Sequence, residues 1–435
     1  MKNAKWIVAM LMAVIMLLAV GCASETAAPA ATEAPAAEAP AEEAPAEEAP
    51  AEEATDGRAA REPIAAADLK IGVILVHDEN SGYDLAHIEG IQAAIAELGI
   101  DESQVIFKYN IPEDETCYDN AVDLAEQGCQ IVFSDSYGHQ TYMMQAAAEY
   151  PDVTFVACTG DMAAASTPNT ANIFPYTFQS RYVSGVVAGM KLKELMDAGT
   201  VTDPYVGYVG AYPYDEVVSG YTAFYLGIKS IVPDAHMDVQ YTNSWYDPVA
   251  EGEAANALIA KGCVIIGQHA DSTGAPQAVQ AQLDAGKVCY SVGYNIDMLS
   301  VAPTAALTSS QNNWAALYTP TINRMLTGEA MPADFALGYA DDAVMISALG
   351  ESCAEGTAEK VEEVVAGLKD GSIQVFDTAN FTVGGETVTS TPALDTDGDF
   401  VKDSGEAIVD GAFQESVLRS APYFGLRIDG ITELN

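Results

Sequence analysis

The strongest constraint on the fold is a regular alternation of short apolar segments with longer helix-like segments from Lys70 onward. Residues 70–77 contain a continuous apolar run, which is typical of a parallel strand buried on both faces. A helix-like segment follows at residues 85–98 and stops at Gly99. Repetition of this unit predicts an α/β fold with parallel, doubly wound sheets.

The alternation occurs in two consecutive sets, separated by a long predicted helix over residues 181–196. The first set predicts strands at 70–77, 104–109, 130–133 and 153–157. The second predicts strands at 205–209, 238–242, 263–267 and 288–292. The chain from residue 65 onward is longer than one hydrophobic core usually supports. We therefore predict two lobes, the first over residues 65–178 and the second over residues 179–304.

The residues that follow each predicted strand are the candidates for a binding site. Ligands of open α/β sheets bind beyond the carboxyl ends of the strands, and two facing sheets would leave a ligand cleft between them. Aromatic faces together with hydrogen-bonding edges suit a planar heterocycle. The candidate ligand-binding residues are Tyr83, Asp84, Asp135, Ser136, Tyr137, Trp245, Asp247, His269, Asp271, Asn295 and Asp297. The alternative is that such residues are ordinary loop and helix-cap residues, and we expect Asp247 to be partly a cap.

The N-terminal residues have the pattern of a lipoprotein signal peptide. Lys2 and Lys5 precede an apolar run over residues 6–20, which is short for a membrane span, and small residues precede Cys22. We predict a signal peptide over residues 1–21 and lipidation of Cys22; the alternative is ordinary secretory cleavage near a cysteine. Residues 22–64 are mostly Ala, Glu and Pro, which predicts a disordered linker between a membrane anchor and an extracytoplasmic domain.

Charge and motifs exclude several classes of function. The net charge of −45 argues against nucleic-acid binding and against any membrane contact beyond the lipid anchor. The sequence contains no G-x-S-x-G, Walker or H-E-x-x-H motif. The five histidines are scattered, without the spacing of metal ligands. We predict no catalytic residues, no required cofactor and no enzymatic activity.

The cysteines other than Cys22 give no metal-site spacing either. Those in or beside apolar strand-like runs are expected to serve as small core residues, namely Cys129, Cys158, Cys263 and Cys289. Cys117 and Cys353 lie in more polar segments, and the sequence leaves any disulfide pairing open.

One acidic segment has the spacing of a calcium-binding loop. Carboxylates occupy positions 1, 3, 5, 9 and 12, as Asp395, Asp397, Asp399, Asp403 and Glu406. The segment departs from the pattern at position 6, where Phe400 replaces the expected glycine. The alternative interpretation is an acidic surface hairpin.

Several of these stretches resemble the basic membrane protein family of ABC-transporter substrate-binding lipoproteins, and most closely its purine-binding branch. The more specific stretches are Trp-Tyr-Asp-Pro at residues 245–248 and Gln-His-Ala-Asp-Ser at residues 268–272. Residues 179–181, 292–298 and 371–377 also match. The resemblance implies a periplasmic-binding-protein type I fold, with two lobes joined by three crossovers. Residues 305–340 would then complete the first lobe and residues 341–435 the second.

The resemblance also implies a function and roles for individual residues. Such a protein closes on a purine nucleobase or nucleoside and presents it to ABC permease subunits. Tyr83 and Trp245 stand where the family places opposing aromatic rings, and Asp135 or Ser136 where polar groups contact the base. Asn295 replaces an aspartate at the ribose end, and residues 308–312 lack the family's lysine, so a free base such as adenine is favoured. A surface sensor or adhesin that binds a small planar molecule without transport is the alternative.

Overall fold

The structure is a computed structural model that describes Arg58, residues 60–395 and residues 401–435. The predicted signal peptide, Cys22 and most of the predicted linker lie outside the described residues. Asp397 and Asp399 of the acidic loop lie outside them as well. The predictions made for these residues therefore stay predictions.

The described α-helices follow the predicted alternation. Their bounds are α1 Gly82–Leu98, α2 Glu115–Glu126, α3 Gln140–Glu149, α4 Thr177–Asp197, α5 Asp215–Lys229, α6 Pro248–Lys261, α7 Gly274–Asp284, α8 Ala315–Thr327 and α9 Thr357–Lys369. Side-chain oxygens cap several of them, as Ser81 does for α1 and Asp114 for α2.

The described strands are short and mostly buried. Those up to the end of the second alternating set are β1 Ile71–Ile74, β2 Val105–Lys108, β3 Ile131–Ser134, β4 Thr154–Ala157, β5 Thr170–Pro175, β6 Tyr205–Gly210, β7 His236–Tyr241, β8 Ile265–Gln268 and β9 Tyr290–Tyr294. The later ones are β10 Ala306–Asn312, β11 Asp334–Leu337, β12 Val344–Ile346, β13 Pro392–Leu394, β14 Ser404–Glu406, β15 Ile408–Val409, β16 Ala412–Phe413 and β17 Ile431–Glu433.

Two mostly parallel sheets form the framework. The first has the order β11-β5-β4-β3-β1-β2, and the second has the order β12-β10-β9-β8-β6-β7-β17. All neighbours pair in parallel except β10 and β12. The strand order reverses between β1 and β3 in the first sheet and between β6 and β8 in the second. Such reversals open a crevice at the carboxyl ends of the strands, where ligands bind.

The chain passes between the two sheets at three places within residues 175–344: from β5 to β6, from β10 to β11 and from β11 to β12. Strand β11 completes the first sheet, whereas β10, β12 and β17 belong to the second. The alternation of apolar and helical segments thus predicted the parallel doubly wound architecture correctly.

Helices α4 and α5 cross with their backbones in contact. A Cβ atom on Gly185 would overlap the carbonyl oxygen of Phe224, and one on Gly227 would overlap the carbonyl oxygen of Tyr182. Both helices belong to the core of the second sheet, where Val183, Val186, Phe224 and other apolar residues are fully buried. Glycine is therefore required at this crossing for close packing.

The acidic loop is flanked by strands. Strands β13 and β14 pair in antiparallel register on either side of it, which matches the hairpin interpretation. The Glu406 carboxylate accepts hydrogen bonds from Ser390, Thr391 and Ile408. No group of three or more potential metal ligands occurs among the described residues. Calcium binding stays a prediction, because two of its five proposed ligands are not described.

All six cysteines after Cys22 are free, and Cys117 is buried like the four that were expected in the core. In the part of the chain that the structure describes, no α-helix combines the length and the apolar character that a membrane span requires.

Candidate functional site

A narrow cavity lies where the carboxyl ends of the two sheets face each other. From the first sheet it is lined by Val76, Tyr83, Asp135, Ser136, Tyr137 and Thr159. From the second it is lined by Glu216, Trp245, His269, Asp271 and Tyr294. Val76 and Asp135 follow β1 and β3, and His269 follows β8, so the cavity lies at the strand-order reversals of both sheets.

Tyr83 contributes its ring to the cavity wall, while its hydroxyl is already bound. Its position is fixed because α1 begins at Gly82, directly after the Ser81 cap. The Tyr83 hydroxyl donates to the carbonyl oxygen of Asp135 at 2.7 Å, and the ring packs edge-on against His87. Burial raises the pKa of this hydroxyl well above its usual value.

Asp84 and Asp135 form a buried carboxyl pair. The backbone amide of Val76 donates to Asp135 Oδ1 at 3.0 Å, and the amide of His77 donates to Asp84 Oδ1 at 2.7 Å. Burial, together with the charge of Asp84, raises the pKa of Asp135 well above its usual value. Burial also acts to raise the pKa of Asp84, but hydrogen bonds from His77 and Ser81 outweigh it and lower that pKa. Within the pair, the proton is therefore favoured on Asp135, and a protonated carboxyl can both donate and accept a hydrogen bond.

A second buried carboxyl lies on the opposite side of the cavity. Asp271 Oδ1 accepts from Asn295 Nδ2 at 2.8 Å, and the Asp271 amide donates to the carbonyl oxygen of Trp245 at 2.8 Å. Burial, reinforced by the charges of Asp84 and Glu251, raises the pKa of Asp271 well above its usual value. Burial therefore favours the protonated form of this carboxyl too.

His269 is neutral and has a free ring nitrogen. Burial, aided by the positive charge of Arg181, lowers its pKa to about 4. Its Nε2 lies 3.4 Å from Glu216 Oε1, whereas Nδ1 has no hydrogen-bond partner among the described residues. The neighbouring Tyr294 hydroxyl is also without a described partner, and the Arg181 guanidinium lies 3.5 Å from the centre of the Tyr294 ring.

Two hydrogen bonds connect the two sides of the cavity directly. Thr159 Oγ1 donates to Glu216 Oε2 at 3.2 Å, and the Gly82 amide donates to the carbonyl oxygen of Asp271 at 3.1 Å. Thr159 has a φ of +137°, in the region that favours glycine, so its backbone is strained. The structure is therefore a closed arrangement of the two sides.

Trp245 provides the main aromatic surface of the second side. It is half-buried and packs against Tyr212 and Tyr214, with ring-centre distances of 5.1 Å and 6.0 Å. These tyrosines lie in the loop after β6, and Trp245 lies in the loop after β7. Adjacent strands thus bring the three rings together at the edge of the cavity.

Seven of the eleven residues proposed from the sequence line the cavity, namely Tyr83, Asp135, Ser136, Tyr137, Trp245, His269 and Asp271. Asp84 and Asn295 lie behind this lining and hold Asp135 and Asp271 in place. Asp247 caps α6 by accepting from the amides of Val249 and Ala250. Asp297 is exposed and caps the 3-10 helix Met298–Ser300.

Four lining residues were not proposed from the sequence: Val76, Thr159, Glu216 and Tyr294. Val76, Thr159 and Tyr294 lie at the carboxyl ends of strands, and the positional rule used for the others would have found them. Glu216 lies in the first turn of α5, where an acidic residue is common because it interacts well with the helix dipole.

Among the described residues that line the cavity there is no lysine or arginine. Its polar groups are carboxyls, hydroxyls and the neutral His269 imidazole. A ligand bound here would be held by hydrogen bonds, and an anionic ligand would find no cation in the wall.

Residues 71–378 match the family model of PnrA-like ABC transporter substrate-binding proteins, the Bmp family. The chain belongs to this family. It is 29% identical to a purine-binding protein of Brucella abortus over 313 residues, which cover 72% of this chain and 84% of that protein. It is also 29% identical to a putative ABC transporter glucose-binding protein of Haloferax volcanii, over 58% of this chain and 60% of that protein.

Solved structures support the fold assignment. A solute-binding protein of an Aeropyrum pernix K1 ABC transporter superposes with a TM-score of 0.60 at 15% identity, over 71% of this chain and 93% of that one. A solute-binding protein from Conexibacter woesei superposes with a TM-score of 0.56 at 20% identity, over 70% of this chain and 97% of that one. The periplasmic-binding-protein type I fold and the family resemblance predicted from the sequence are confirmed. Family and fold are those of non-enzymatic solute-binding proteins.

Proposed function

We propose that this substrate-binding protein captures a purine nucleobase for import and is held outside the membrane by a lipid on Cys22. The observation that carries the ligand assignment is the cavity wall. One aromatic surface, Trp245, borders hydrogen-bonding groups that include Asp135 and Asp271, whose pKa values are raised by burial. A flat ring with donors and acceptors along its edge satisfies both parts of this wall.

The polarity of the wall favours an uncharged ligand. A phosphorylated nucleotide would lie against carboxyls without a cation to pair with its phosphate. The name of the Brucella abortus relative agrees with a purine. The name of the Haloferax volcanii relative points to a sugar, so glucose belongs in any ligand test.

The position of Asn295 favours the base over the nucleoside. Its side-chain nitrogen donates to Asp271, its backbone carbonyl oxygen accepts from Gln311, and the residue does not line the cavity. A ribose in the cavity would therefore not contact this side chain.

The ligand assignment is tested by thermal unfolding with adenine, guanine, hypoxanthine, their nucleosides, AMP and glucose. A ligand present at about 100 times its Kd stabilises the folded protein by about 2.7 kcal/mol. We expect the bases to raise the unfolding temperature most, the nucleosides less and AMP not at all. No shift with any purine, or a shift with glucose alone, would contradict the proposal.

The lipid anchor and the permease require tests in cells. Cys22→Ala should release the protein from membranes into the medium or periplasm, whereas Cys353→Ala should leave it membrane-bound. Deletion of the gene should abolish uptake of the identified base. Binding without any effect on uptake would favour the alternative role of a surface sensor.

A further inference from the structure

The C-terminal region contains a segment that contacts both sides of the cavity and lies beyond the residues matched by the family model. We call residues 401–424 the C-terminal latch. Phe413, Tyr423 and Phe424 of the latch are buried in the core of the second sheet. The Phe424 ring stacks on Phe376 with a centre-to-centre distance of 4.3 Å. The latch therefore packs with the second sheet and its helices, which we call the second-sheet side; the first sheet and its helices form the first-sheet side.

Two contacts extend from the latch to the first-sheet side. Arg419 Nη1 lies 2.8 Å from Asp161 Oδ2, and the side chains are 20% and 15% exposed. The backbone amide of Ser420 donates to Oδ1 of Asp334, in β11, at 2.8 Å. Because the ion pair is largely shielded from water, it is screened less than an exposed pair.

Asp161 in turn is tied to the cavity wall. The hydroxyl of Tyr137, a lining residue, donates to Asp161 Oδ2 at 3.1 Å. Asp161 also lies two residues after Thr159, which hydrogen-bonds across the cavity to Glu216. Arg419 thus holds the carboxylate that orients one lining side chain and the loop that carries another.

A second basic residue of the latch makes the corresponding contact on the other side. Lys402 Nζ lies 2.7 Å from Asp215 Oδ2. Asp215 is the first residue of α5 and directly precedes Glu216. The latch therefore pairs with residues close in sequence to both Thr159 and Glu216. The side chains of these two residues hydrogen-bond to each other across the cavity.

We propose that the C-terminal latch controls ligand release, and that Arg419 is its positioning residue. Opening of the cavity requires the Arg419–Asp161 ion pair and the Ser420–Asp334 hydrogen bond to break together with the Thr159–Glu216 contact. The latch thereby lengthens the time for which a bound ligand is retained, without touching the ligand itself.

The test compares Arg419→Gln with wild type by stopped-flow measurement of adenine binding and release on the full chain. Loss of a charge-assisted contact of this kind should raise the dissociation rate about tenfold and leave the association rate nearly unchanged. Arg419→Lys, which retains the charge, should restore most of the slow release. Arg427→Gln is the control, because Arg427 pairs with Glu433 on the second-sheet side.

Hydrogen exchange on the ligand-free chain separates failure of the latch from failure of the purine assignment. Arg419→Gln should speed amide exchange in the segment that contains Thr159 and Asp161, and Arg427→Gln should not. If amide exchange in this segment is as slow in Arg419→Gln as in wild type, the latch proposal is wrong. If adenine binds, an Arg419→Gln dissociation rate equal to that of wild type would also overturn the latch. An equal effect of Arg419→Gln and Arg427→Gln on that rate would overturn it as well. If no purine binds, the exchange comparison alone decides.

Discussion

Replacing Trp245 with alanine should weaken adenine binding by about 2 kcal/mol, or roughly thirtyfold. The indole is the main aromatic surface of the second-sheet side, and its truncation removes both stacking and apolar contact with the base. Isothermal titration measures the loss. The dissociation rate should account for most of it, because contacts within one site mainly affect release.

Two variants make this prediction specific. Trp245→Phe keeps an aromatic face and should retain most of the affinity. Tyr214→Ala removes a ring that contacts Trp245 but is 49% exposed and outside the cavity lining, so its effect should be small. Equal affinity of Trp245→Ala and wild type would place the ligand elsewhere.

Gly185→Ala should destabilise the second-sheet side by about 3 kcal/mol, because the new methyl group would overlap the carbonyl oxygen of Phe224. The obstacle is the backbone of α5, which cannot rotate away as a side chain can. Urea unfolding followed by circular dichroism gives the free energy of unfolding. Binding should be lost only to the extent that the folded population falls.

A second helical glycine gives a matched control, for which we expect the opposite change in stability. A Cβ on Gly252 in α6 would have no neighbour closer than 3.4 Å, which is ordinary contact. Gly252→Ala should stabilise the protein by roughly 0.5–1 kcal/mol, because alanine loses less conformational freedom in a helix. Equal stability of the two variants would show that the α4–α5 crossing can separate at little cost.

The sequence predicted the two sheets well for a physical reason. Strands such as β1, β3 and β4 are buried on both faces, so they are continuous apolar runs that periodicity detects. The strands after residue 378 are only two or three residues long. β13 to β16 form small hairpins, and β17 lies at the edge of the second sheet. Segments this short carry no periodicity, and the packing of the C-terminal latch could not be predicted.

The site was predicted less completely, because aspartates that follow strands have several uses. Asp135 and Asp271 line the cavity, Asp84 supports Asp135 from behind, and Asp247 and Asp297 cap helices. All five aspartates follow strands, so their positions in the sequence do not tell lining residues from supporting residues or helix caps. The pairing of Arg419 with Asp161 joins residues far apart in the chain, and only the tertiary structure brings them together.

The attachment of Arg58 and Arg61 to the first sheet has a mechanical consequence. Arg58 is buried against the carbonyl oxygens of Ala163, Pro168 and Thr170, and the Arg61 amide donates to the carbonyl oxygen of Gly328. Thr170 is the first residue of β5, so this attachment lies at the amino ends of the first sheet's strands, opposite the cavity. A pulling force applied through the preceding residues would enter the first sheet at the end far from the cavity. It would not pass through the hydrogen bonds and the ion pair that join the two sides of the cavity, so tension on the chain would not by itself open the site.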